Sequence, residues 1–367
     1  MQKIKRITVK TEKTSYPVII GSNSYLLLKK EIEKQKLYRN VFVILDENVK
    51  KHFAPKIQKN LGTFFTKKGI YVLKKGEGSK SHSELNKIYG ALLRSKYGRD
   101  TLVLAIGGGV TGDLAGYAAS TYMRGVQLVH VPTTLLADVD SSIGGKTGIN
   151  FNNRKNMIGT FYQPQMVLID LNFLRTLSDG EFFSGLGEVI KYTFTTTKDF
   201  YSFVFNNFNK LMLKNNLSLE KVIYESVLFK SSVVRKDEKE SGLRKILNFG
   251  HTFAHAYESE LNFKIKHGEA VIAGIISALY LSNIKGYLQG KKLDEFLLNL
   301  NSLRLPASLK KLRVENVLNF MRNDKKNRED EIKFILLRDI GEIVSDVEAD
   351  KSEIVQSILL TKEFLKN

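Results

Sequence analysis

Three of the six histidines of this chain lie within 17 residues, in the stretches GHTFAHAYE and KHGEA. His251 and His255 are four residues apart and would share one face of a helix, where two imidazoles can chelate a metal ion. His267 offers a third imidazole. The Glu of the zinc-protease motif H-E-x-x-H is absent, so a further ligand must come from elsewhere. The spacing predicts a metal site and leaves open which two histidines serve it.

Glu188 is the candidate for that further ligand. It lies in the otherwise apolar stretch 186–190, where an unpaired carboxylate would be costly. Two histidines and one carboxylate leave a coordination position open, which is typical of catalytic zinc. Lys191 supports a different interpretation. It follows one helical turn later and would pair with Glu188 without any metal.

A polar stripe precedes and overlaps the first two histidines. Arg244, Asn248, His251 and His255 are spaced 4, 3 and 4 residues apart. On one continuous helix they would share a face and line a polar cavity. The stripe depends on a helix that extends back past Gly250, and this glycine leaves the helix start open.

A glycine-rich loop, GGGVTGD, begins at Gly107 after a predicted strand and opens a predicted helix. Gly107, Gly109 and Gly112 match G-x-G-x-x-G, in which missing side chains let the backbone approach a phosphate at a helix N-terminus. No acid about 20 residues further on ends a second strand, as a standard dinucleotide-binding unit requires. The loop predicts phosphate or dinucleotide contact, and a tight strand–helix turn is the alternative.

The stretch Gly144-Gly145-Lys146-Thr147 is similar to the end of a nucleotide-binding P-loop. The full motif requires a glycine at position 140, where this chain has Asp140, so we reject a P-loop. Lys146 and Lys155 remain candidates for phosphate contact as point charges. Solvated lysines are the alternative for both.

The first half of the chain alternates strand and helix patterns. Short apolar runs at 41–45, 101–106, 127–131 and 166–169 predict strands, and 85–94 has helical spacing. Strands separated by helices favour a parallel sheet covered on both faces. We therefore predict an α/β N-terminal domain with a parallel, Rossmann-like sheet.

The second half is predicted to be mainly α-helical. Helical patterns cover 181–193, 199–213, 217–236, 252–261, 269–281 and 293–300. A strand pair at 332–337 and 342–347 follows, and Asp350 with Glu353 predicts the capped start of a last helix. We place the domain boundary near 176–179, which gives domains at 1–177 and 178–367.

Composition excludes several classes of protein. The chain has 367 residues, 43% of them hydrophobic, and no cysteine, so disulfides, thiolate nucleophiles and cysteine metal sites are excluded. Its formal net charge of +19 is spread over scattered lysines without a basic run, so we expect no nucleic-acid partner. The N-terminus lacks the apolar core of a secretory signal, and the apolar stretch 270–281 is too short for a membrane span. We expect a cytoplasmic protein without a membrane partner.

Together these stretches resemble the 3-dehydroquinate synthase family, the second enzymes of the shikimate pathway. The matching segments occur in family order from about residue 41 to 340. They are GGGVTGDLAGYAAS, YMRG, VPTTLLADVDSSIGGKTGIN, KNMIGTFYQP, GEVIKY, RKDEKESGLRKILNFGHTFAHAYE, KHGEAV and NDKK. The resemblance implies an NAD-binding α/β domain and a helical domain that holds a divalent metal, usually zinc, with cobalt as the other candidate.

The resemblance also implies roles for individual residues. The metal ligands would be Glu188, His251 and His267, with His255 on the substrate side. NAD contacts would come from Asp46, Gly76, Glu77, Gly78, Ser79, Lys80, Gly109, Val110, Thr111, Gly112, Asp113, Thr133, Thr134, Phe173, Leu174, Arg175 and Thr176. Lys146 and Lys155 would lie in the cofactor and substrate region. Substrate-side groups would be Arg124, Asp140, Asn156, Lys191, Lys230, Glu240, Arg244 and Asn248.

The implied reaction converts 3-deoxy-D-arabino-heptulosonate 7-phosphate to 3-dehydroquinate and phosphate. In the family, the arginine that matches Arg124 reaches across a dimer interface, so the resemblance implies a homodimer. Three places depart from the family pattern: Lys75 replaces a frequent acid, Leu186-Gly187 varies a stretch that usually holds alanine, and Ser178-Asp179-Gly180 replaces a proline turn.

Two related activities and one unrelated function compete with this prediction. A sibling cyclase such as 2-deoxy-scyllo-inosose synthase would share the NAD and metal sites. It acts on a hexose phosphate, whereas Arg124, Asn156, Lys230 and Arg244 suit a substrate with both a carboxylate and a phosphate. A metal-dependent polyol dehydrogenase would consume NAD stoichiometrically. A non-catalytic basic binding protein would hold no zinc and would bind DNA in a salt-sensitive manner.

Overall fold

The computed structural model describes residues 4–35, 40–64, 69–152, 154–322 and 332–366. Its described residues form two compact units. Unit 1 comprises 1–178 and 214–239, and unit 2 comprises 179–213 and 240–367. The segment NDKK, used above for the family resemblance, begins at position 323 and lies outside the described residues.

Unit 1 is built on a seven-stranded sheet. Its strands are β1 (Lys5–Lys10), β2 (Ser15–Gly21), β3 (Asn40–Asp46), β4 (Ile70–Leu73), β5 (Thr101–Gly107), β6 (Gln127–Pro132) and, after a hairpin, β9 (Met166–Asp170). Their spatial order is β1-β2-β9-β6-β5-β3-β4. Only β1 and β2 pair antiparallel, and the other neighbours are parallel. The predicted parallel α/β sheet is confirmed.

Apolar side chains cover both faces of this sheet. Along β3, Val43 and Leu45 point into one buried cluster while Phe42 and Ile44 point into another. Every residue of β5 is buried, as expected for a central parallel strand. The helices of this unit are α1 (Leu28–Lys34), α2 (Glu47–Leu61), α3 (His82–Arg94), α4 (Gly109–Thr121) and α8 (Asn216–Lys236). The sheet is therefore a rigid platform whose strand ends can hold functional groups.

A hairpin of β7 (Lys146–Phe151) and β8 (Arg154–Phe161) forms a separate antiparallel pair in unit 1. Sequence patterning missed this hairpin. No residue of its second strand is fully buried and five of the eight are exposed, and the glycines in GGKTGIN obscure the alternation that identifies strands.

Unit 2 is mainly helical, as predicted. Its helices are α5 (Asp179–Thr195), α6 (Lys198–Asn206), α7 (Phe208–Met212), α9 (His251–Glu260), α10 (His267–Ile284), α11 (Gly290–Asn301), α12 (Val314–Arg322) and α13 (Lys351–Phe364). The strands β10 (Lys333–Asp339) and β11 (Glu342–Glu348) form an antiparallel pair. Helix α10 is almost wholly buried in the apolar core of the unit. Asp350 and Glu353 form the predicted capping box of α13.

Two local predictions are wrong. The helix predicted over 199–213 is broken at Asn207, whose side-chain amide donates to the Phe203 carbonyl at 2.9 Å. The polar stripe does not lie on one helix. Residues Leu243–Asn248 form a short 3-10 helix, and Gly250, at φ +77°, starts α9 in a new direction. Within the described residues, no helix is long and apolar enough to cross a membrane.

Helices α5 and α10 meet through two glycines. A Cβ atom on Gly268 would lie 1.8 Å from the carbonyl oxygen of Ser184, and one on Gly187 would lie 2.4 Å from the Cα atom of Gly268. Only hydrogen atoms fit at this crossing. Gly187, a departure from the family pattern, therefore has a physical role, because it lets the two backbones touch beside Glu188 and His267.

Gly268→Ala is expected to destabilise the protein, because the added methyl group must push α5 away from α10. Overpacking of this kind costs roughly 1–3 kcal/mol. Gly290→Ala is the matched control, since a Cβ atom there meets nothing within 4 Å, and a change below about 0.5 kcal/mol is expected. Chemical denaturation measures both. Equal free energies of unfolding for the two variants would contradict the close helix contact.

Candidate functional site

Three side chains of unit 2, two of them buried and one partly exposed, converge at one point. Glu188, His251 and His267 each offer a ligand atom, and these atoms all lie within 4.8 Å of one another. The Oε1 atom of Glu188 is 3.3 Å from Nε2 of His251 and 3.2 Å from Nε2 of His267. Glu188 comes from the middle of α5, whereas the histidines are the first residues of α9 and α10. Three helices thus supply one ligand atom each.

Charge pairing keeps the Glu188 carboxylate ionised. It is 1% exposed, and Lys191, equally buried, contacts its other oxygen, Oε2. Burial alone would raise the pKa of Glu188, but the positive charge of Lys191 and the hydrogen bond to His267 hold it well below its usual range. Both sequence interpretations of Lys191 therefore apply together: Glu188 has a lysine partner on one oxygen and two imidazoles on the other.

The pKa values of His251 and His267 are shifted in opposite directions. Burial and the positive charge of Lys191 lower the pKa of His251 to about 4, against the pull of Glu188. Burial also opposes a charge on His267, but hydrogen bonds to the carboxylates of Glu188 and Glu258 outweigh it and raise its pKa to about 10. One imidazole is thus neutral and the other carries a proton at neutral pH.

Each of these histidines has a partner on its second ring nitrogen. Nδ1 of His251 lies 3.3 Å from the Phe249 carbonyl oxygen, and Nδ1 of His267 lies 3.3 Å from Oε2 of Glu258. Such partners orient metal-binding imidazoles so that the other nitrogen faces the metal. Sequence reasoning missed Glu258, which is 3% exposed in α9. The sequence did contain one sign of this role: Glu258 ends the stretch HTFAHAYE, in a helical turn that is otherwise mostly apolar.

This donor set fits a divalent metal. Two imidazole nitrogens and one carboxylate oxygen match the ligands of catalytic zinc, and cobalt accepts the same types. His255 is outside the cluster, although its ring centroid lies 5.5 Å from that of His251 and 6.4 Å from that of His267. The structure therefore separates His255, which borders the cluster, from His251 and His267, which form it.

The strand order of the unit 1 sheet reverses direction between β3 and β5. Strand β4 lies on one side of β3, whereas β5, β6 and β9 follow on the other side. Ligands of open α/β sheets bind at such a switch point, beyond the carboxyl ends of the strands. Here Asp46 ends β3 and Gly107 ends β5. The glycine-rich loop therefore lies where a dinucleotide would be expected.

The glycines of this loop also serve packing. A Cβ atom on Gly107 would lie 2.5 Å from Oγ1 of Thr111 and 2.8 Å from Oδ2 of Asp46, and one on Gly108 would lie 3.0 Å from Cγ2 of Thr134. Asp46 accepts N–H bonds from Val49 and Gly108, although burial raises its pKa. The tight-turn and anion-binding interpretations are compatible. Although the turn is closely packed, no side chain caps the N-terminus of α4, so none competes with an anion there.

Lysine-centred contacts join the other predicted residues of unit 1. Lys80, 5% exposed, contacts both Asp113 of α4 and Asn156 of β8. Lys230 of α8 donates to the carboxylate of Asp140 at 2.6 Å and to its main-chain oxygen at 2.7 Å. These contacts link positions up to 90 residues apart in sequence. Lys80 thus joins candidate residues of the glycine loop and the hairpin, and Lys230 joins α8 to Asp140.

The segment after β9 lines a cavity of about 850 Å³ in unit 1. Phe173, Arg175 and Thr176 contribute to its wall, and the ring of Phe173 lies 4.7 Å from that of Phe53 at an edge-on angle. Leu174 of the same 3-10 helix is buried. The glycine loop does not line this cavity. Aromatic faces with one arginine are suited to a planar, electron-rich ring.

The remaining candidates occupy separate places. Arg124 lies on an exposed turn where Met123, Arg124 and Gly125 all have positive φ. In unit 2, Asn248 donates to the carboxylate of Glu240 at 2.8 Å, and Arg244 is 1% exposed. The other predicted contacts are placed by the elements already named: Gly76, Glu77, Gly78 and Ser79 follow β4, Thr133 follows β6, and Lys146 and Lys155 lie in the hairpin.

Comparison with known proteins identifies the family. The model of the 3-dehydroquinate synthase N-terminal region matches residues 70–184, and that of the C-terminal region matches 185–327. The chain is 38% identical to 3-dehydroquinate synthase of Pelagibacter ubique, over 98% of this chain and 99% of that protein. It is 40% identical to the synthase of Acidithiobacillus ferrooxidans, over 97% and 98%.

Solved structures show the same fold. A 2-deoxy-scyllo-inosose synthase complexed with carbaglucose-6-phosphate, NAD+ and Co2+ has a TM-score of 0.86 at 24% identity, covering 96% of this chain and 99% of its own. The 2-epi-5-epi-valiolone synthase of Streptomyces hygroscopicus, with NAD+ and Zn2+ bound, has a TM-score of 0.83 at 24% identity, covering 96% and 98%.

Zinc binding is expected to release a proton. At about pH 6.5, His267 carries one because its pKa is raised to about 10, whereas His251 is neutral. A coordinating imidazole must be neutral, so about one proton should leave per zinc bound. Calorimetry in buffers of different ionisation enthalpy measures this number. His255→Ala should release the same amount, and a release near zero would contradict coordination by His267.

Proposed function

The chain belongs to the 3-dehydroquinate synthase family, and we propose that it converts 3-deoxy-D-arabino-heptulosonate 7-phosphate to 3-dehydroquinate and phosphate with NAD and a divalent metal. The observation that carries this proposal is the buried cluster of Glu188, His251 and His267. A basic binding protein has no use for such a cluster. The cluster would provide the ligands for a Lewis acid, in a chain whose other unit has a glycine-rich loop at the switch point of its sheet.

When bound, NAD supplies a reversible hydride acceptor and the metal supplies a Lewis acid for the substrate hydroxyls. Glu188, His251 and His267 would hold the metal. The backbone of Gly109 to Asp113 would hold the pyrophosphate at the N-terminus of α4. The cavity beside Phe173 is assigned to the adenine end, since its aromatic walls suit a purine.

The chain's basic groups are assigned to the two anionic ends of the substrate. Arg244, Lys230 and Lys191 are buried cations, and buried cations bind phosphate and carboxylate strongly because little water competes. Asp140 accepts a hydrogen bond from Lys230, and Glu240 accepts one from Asn248. These carboxylates would hold the two side chains in place. His255, whose ring lies 5.5 Å from that of His251, would exchange a proton with a substrate hydroxyl.

The reaction proceeds without net oxidation. Removal of the C–H hydride and the hydroxyl proton from a secondary alcohol of the sugar gives a ketone, which acidifies the neighbouring C–H bond. Loss of the proton of that neighbouring bond expels phosphate by β-elimination, for which the substrate's own phosphate serves as base. The hydride then returns to the ketone. Ring opening and an intramolecular aldol reaction form the carbocycle. The chain's residues orient the substrate and stabilise charge throughout.

We assign cofactor binding and metal binding to different predicted domains. We assign NAD binding to 1–177 and metal and substrate binding to 178–367; α8, which carries Lys230, packs in unit 1. A homodimer is part of the proposal. Its support is the exposed Arg124 turn together with exposed apolar side chains on that turn and the hairpin, which are Met123, Phe151, Met157 and Phe161. A cytoplasmic location remains a prediction.

The activity is tested by turnover with limiting NAD. Purified protein, zinc and the heptulosonate phosphate are mixed with less NAD than substrate, and phosphate and dehydroquinate are followed together. Equal release of both, well beyond the NAD supplied, is expected because the hydride is returned in each cycle.

Two outcomes would contradict the proposal. Turnover of a hexose phosphate but not of the heptulosonate phosphate would identify a sibling cyclase. Accumulation of NADH in proportion to product would identify a dehydrogenase. Glu188→Ala is the control, and it should abolish both products.

A further inference from the structure

Asn150 makes three hydrogen bonds that connect two predicted NAD contacts, Glu77 and Lys80, with the predicted substrate-side residue Asn156. Its side-chain Nδ2 donates to Oε1 of Glu77 at 2.8 Å, and its Oδ1 accepts the backbone N–H of Asn156 at 3.0 Å. Its own backbone N–H donates to the Lys80 carbonyl at 2.8 Å. Neither the resemblance nor the mechanism above gives Asn150 a role, yet all three partners are predicted site residues.

The position of Asn150 in the hairpin explains these contacts. Ile149 pairs with Ile158 and Phe151 pairs with Arg154, so Asn150 alone faces the three residues 155–157. The extra residues form a bulge, which re-aims side chains and leaves backbone groups unpaired. Asn156 adopts φ +56° in this bulge. The Asn150 side chain takes up its N–H group and so fixes the segment that presents Lys155 and Asn156.

The contacts require an amide at position 150. One side chain must donate to the carboxylate of Glu77 and accept from a backbone N–H at the same time, and a carboxamide does both. An aspartate of the same shape would still accept from Asn156, but it would place a second negative charge against Glu77. Leucine would do neither. Asn150 thus has a chemical role that a general hairpin residue would not need.

We propose that Asn150 is a positioning residue that holds the Gly76–Lys80 loop and the Lys155–Asn156 bulge in the arrangement that binds NAD. The inference rests on the proposed function, since the family resemblance behind it lists Gly76–Lys80 among the NAD contacts and Lys155 in the cofactor and substrate region. Lys80 continues the connection, because its ammonium contacts both Asn156 and Asp113 of the glycine loop. Asn150 therefore acts on NAD through Glu77, Lys80 and Asn156 without touching it.

The test is an exchange of donor and acceptor between positions 150 and 77. NAD affinity is measured by calorimetry on the full chain with zinc for the wild type, Asn150→Asp, Glu77→Gln and the double variant. Asn150→Asp is expected to raise the Kd for NAD about tenfold, the effect of losing a hydrogen bond to a charged group. In the double variant, the amide at position 77 donates to the carboxylate at 150, so the Kd should return to within about threefold of that of Glu77→Gln.

Three controls separate positioning from a general loss of structure. Asn209→Asp introduces the same charge on an exposed helix position of unit 2 and should leave the Kd for NAD unchanged. Zinc affinity should be unchanged in all variants, because the metal cluster lies in unit 2. Thermal unfolding shows whether each variant is folded at the temperature of the titration.

A Kd for Asn150→Asp within twofold of the wild-type value would overturn the inference. A weakened Kd that the double variant does not rescue would also overturn it, and would assign Asn150 to hairpin stability alone. Failure of the wild-type chain itself to bind NAD is a different result, which would overturn the proposed function and the inference with it.

Discussion

The structure of unit 2 depends on one buried carboxylate. An ionised group as enclosed as Glu188 is costly unless each of its oxygens has a partner. Lys191, one turn along α5, contacts one oxygen, and the imidazoles that open α9 and α10 approach the other. This geometry requires α5 and α10 to touch, which two glycines allow. The same arrangement that lowers the cost of burying Glu188 brings together one carboxylate oxygen and two imidazole nitrogens, a donor set that could hold a metal ion.

In unit 1, the candidate functional groups lie where a strand ends or a helix begins. Asp46 and Gly107 end neighbouring parallel strands, and α4 starts at once after the second of them. A strand end leaves backbone groups available, and a helix start offers N–H groups to an anion. Long-range side-chain bonds such as Lys80 to Asn156 then join these ends to the hairpin. A sheet with a buried core, whose strand ends carry loops with functional groups, suits a cofactor that must be held at several points.

Much of this could be predicted from the sequence, and the failures have physical causes. Glu188 was identifiable because a charge in an apolar helix needs a partner. The choice between His255 and His267 was not, because helical spacing favours His255, whereas the cluster uses the first residues of two different helices. The hairpin was missed because its second strand is half-exposed. Glu258 was missed because no local pattern records that its carboxylate contacts a histidine on the next helix.

The ligand set is the central claim, and zinc content of purified variants tests it most directly. Elemental analysis of the wild type should find one zinc per chain. His267→Ala and Glu188→Ala should lose it, because two remaining ligands bind too weakly to survive purification. His255→Ala should keep its zinc while its rate falls, since its ring borders the cluster without joining it. Retention of zinc by His267→Ala together with its loss from His255→Ala would contradict the account.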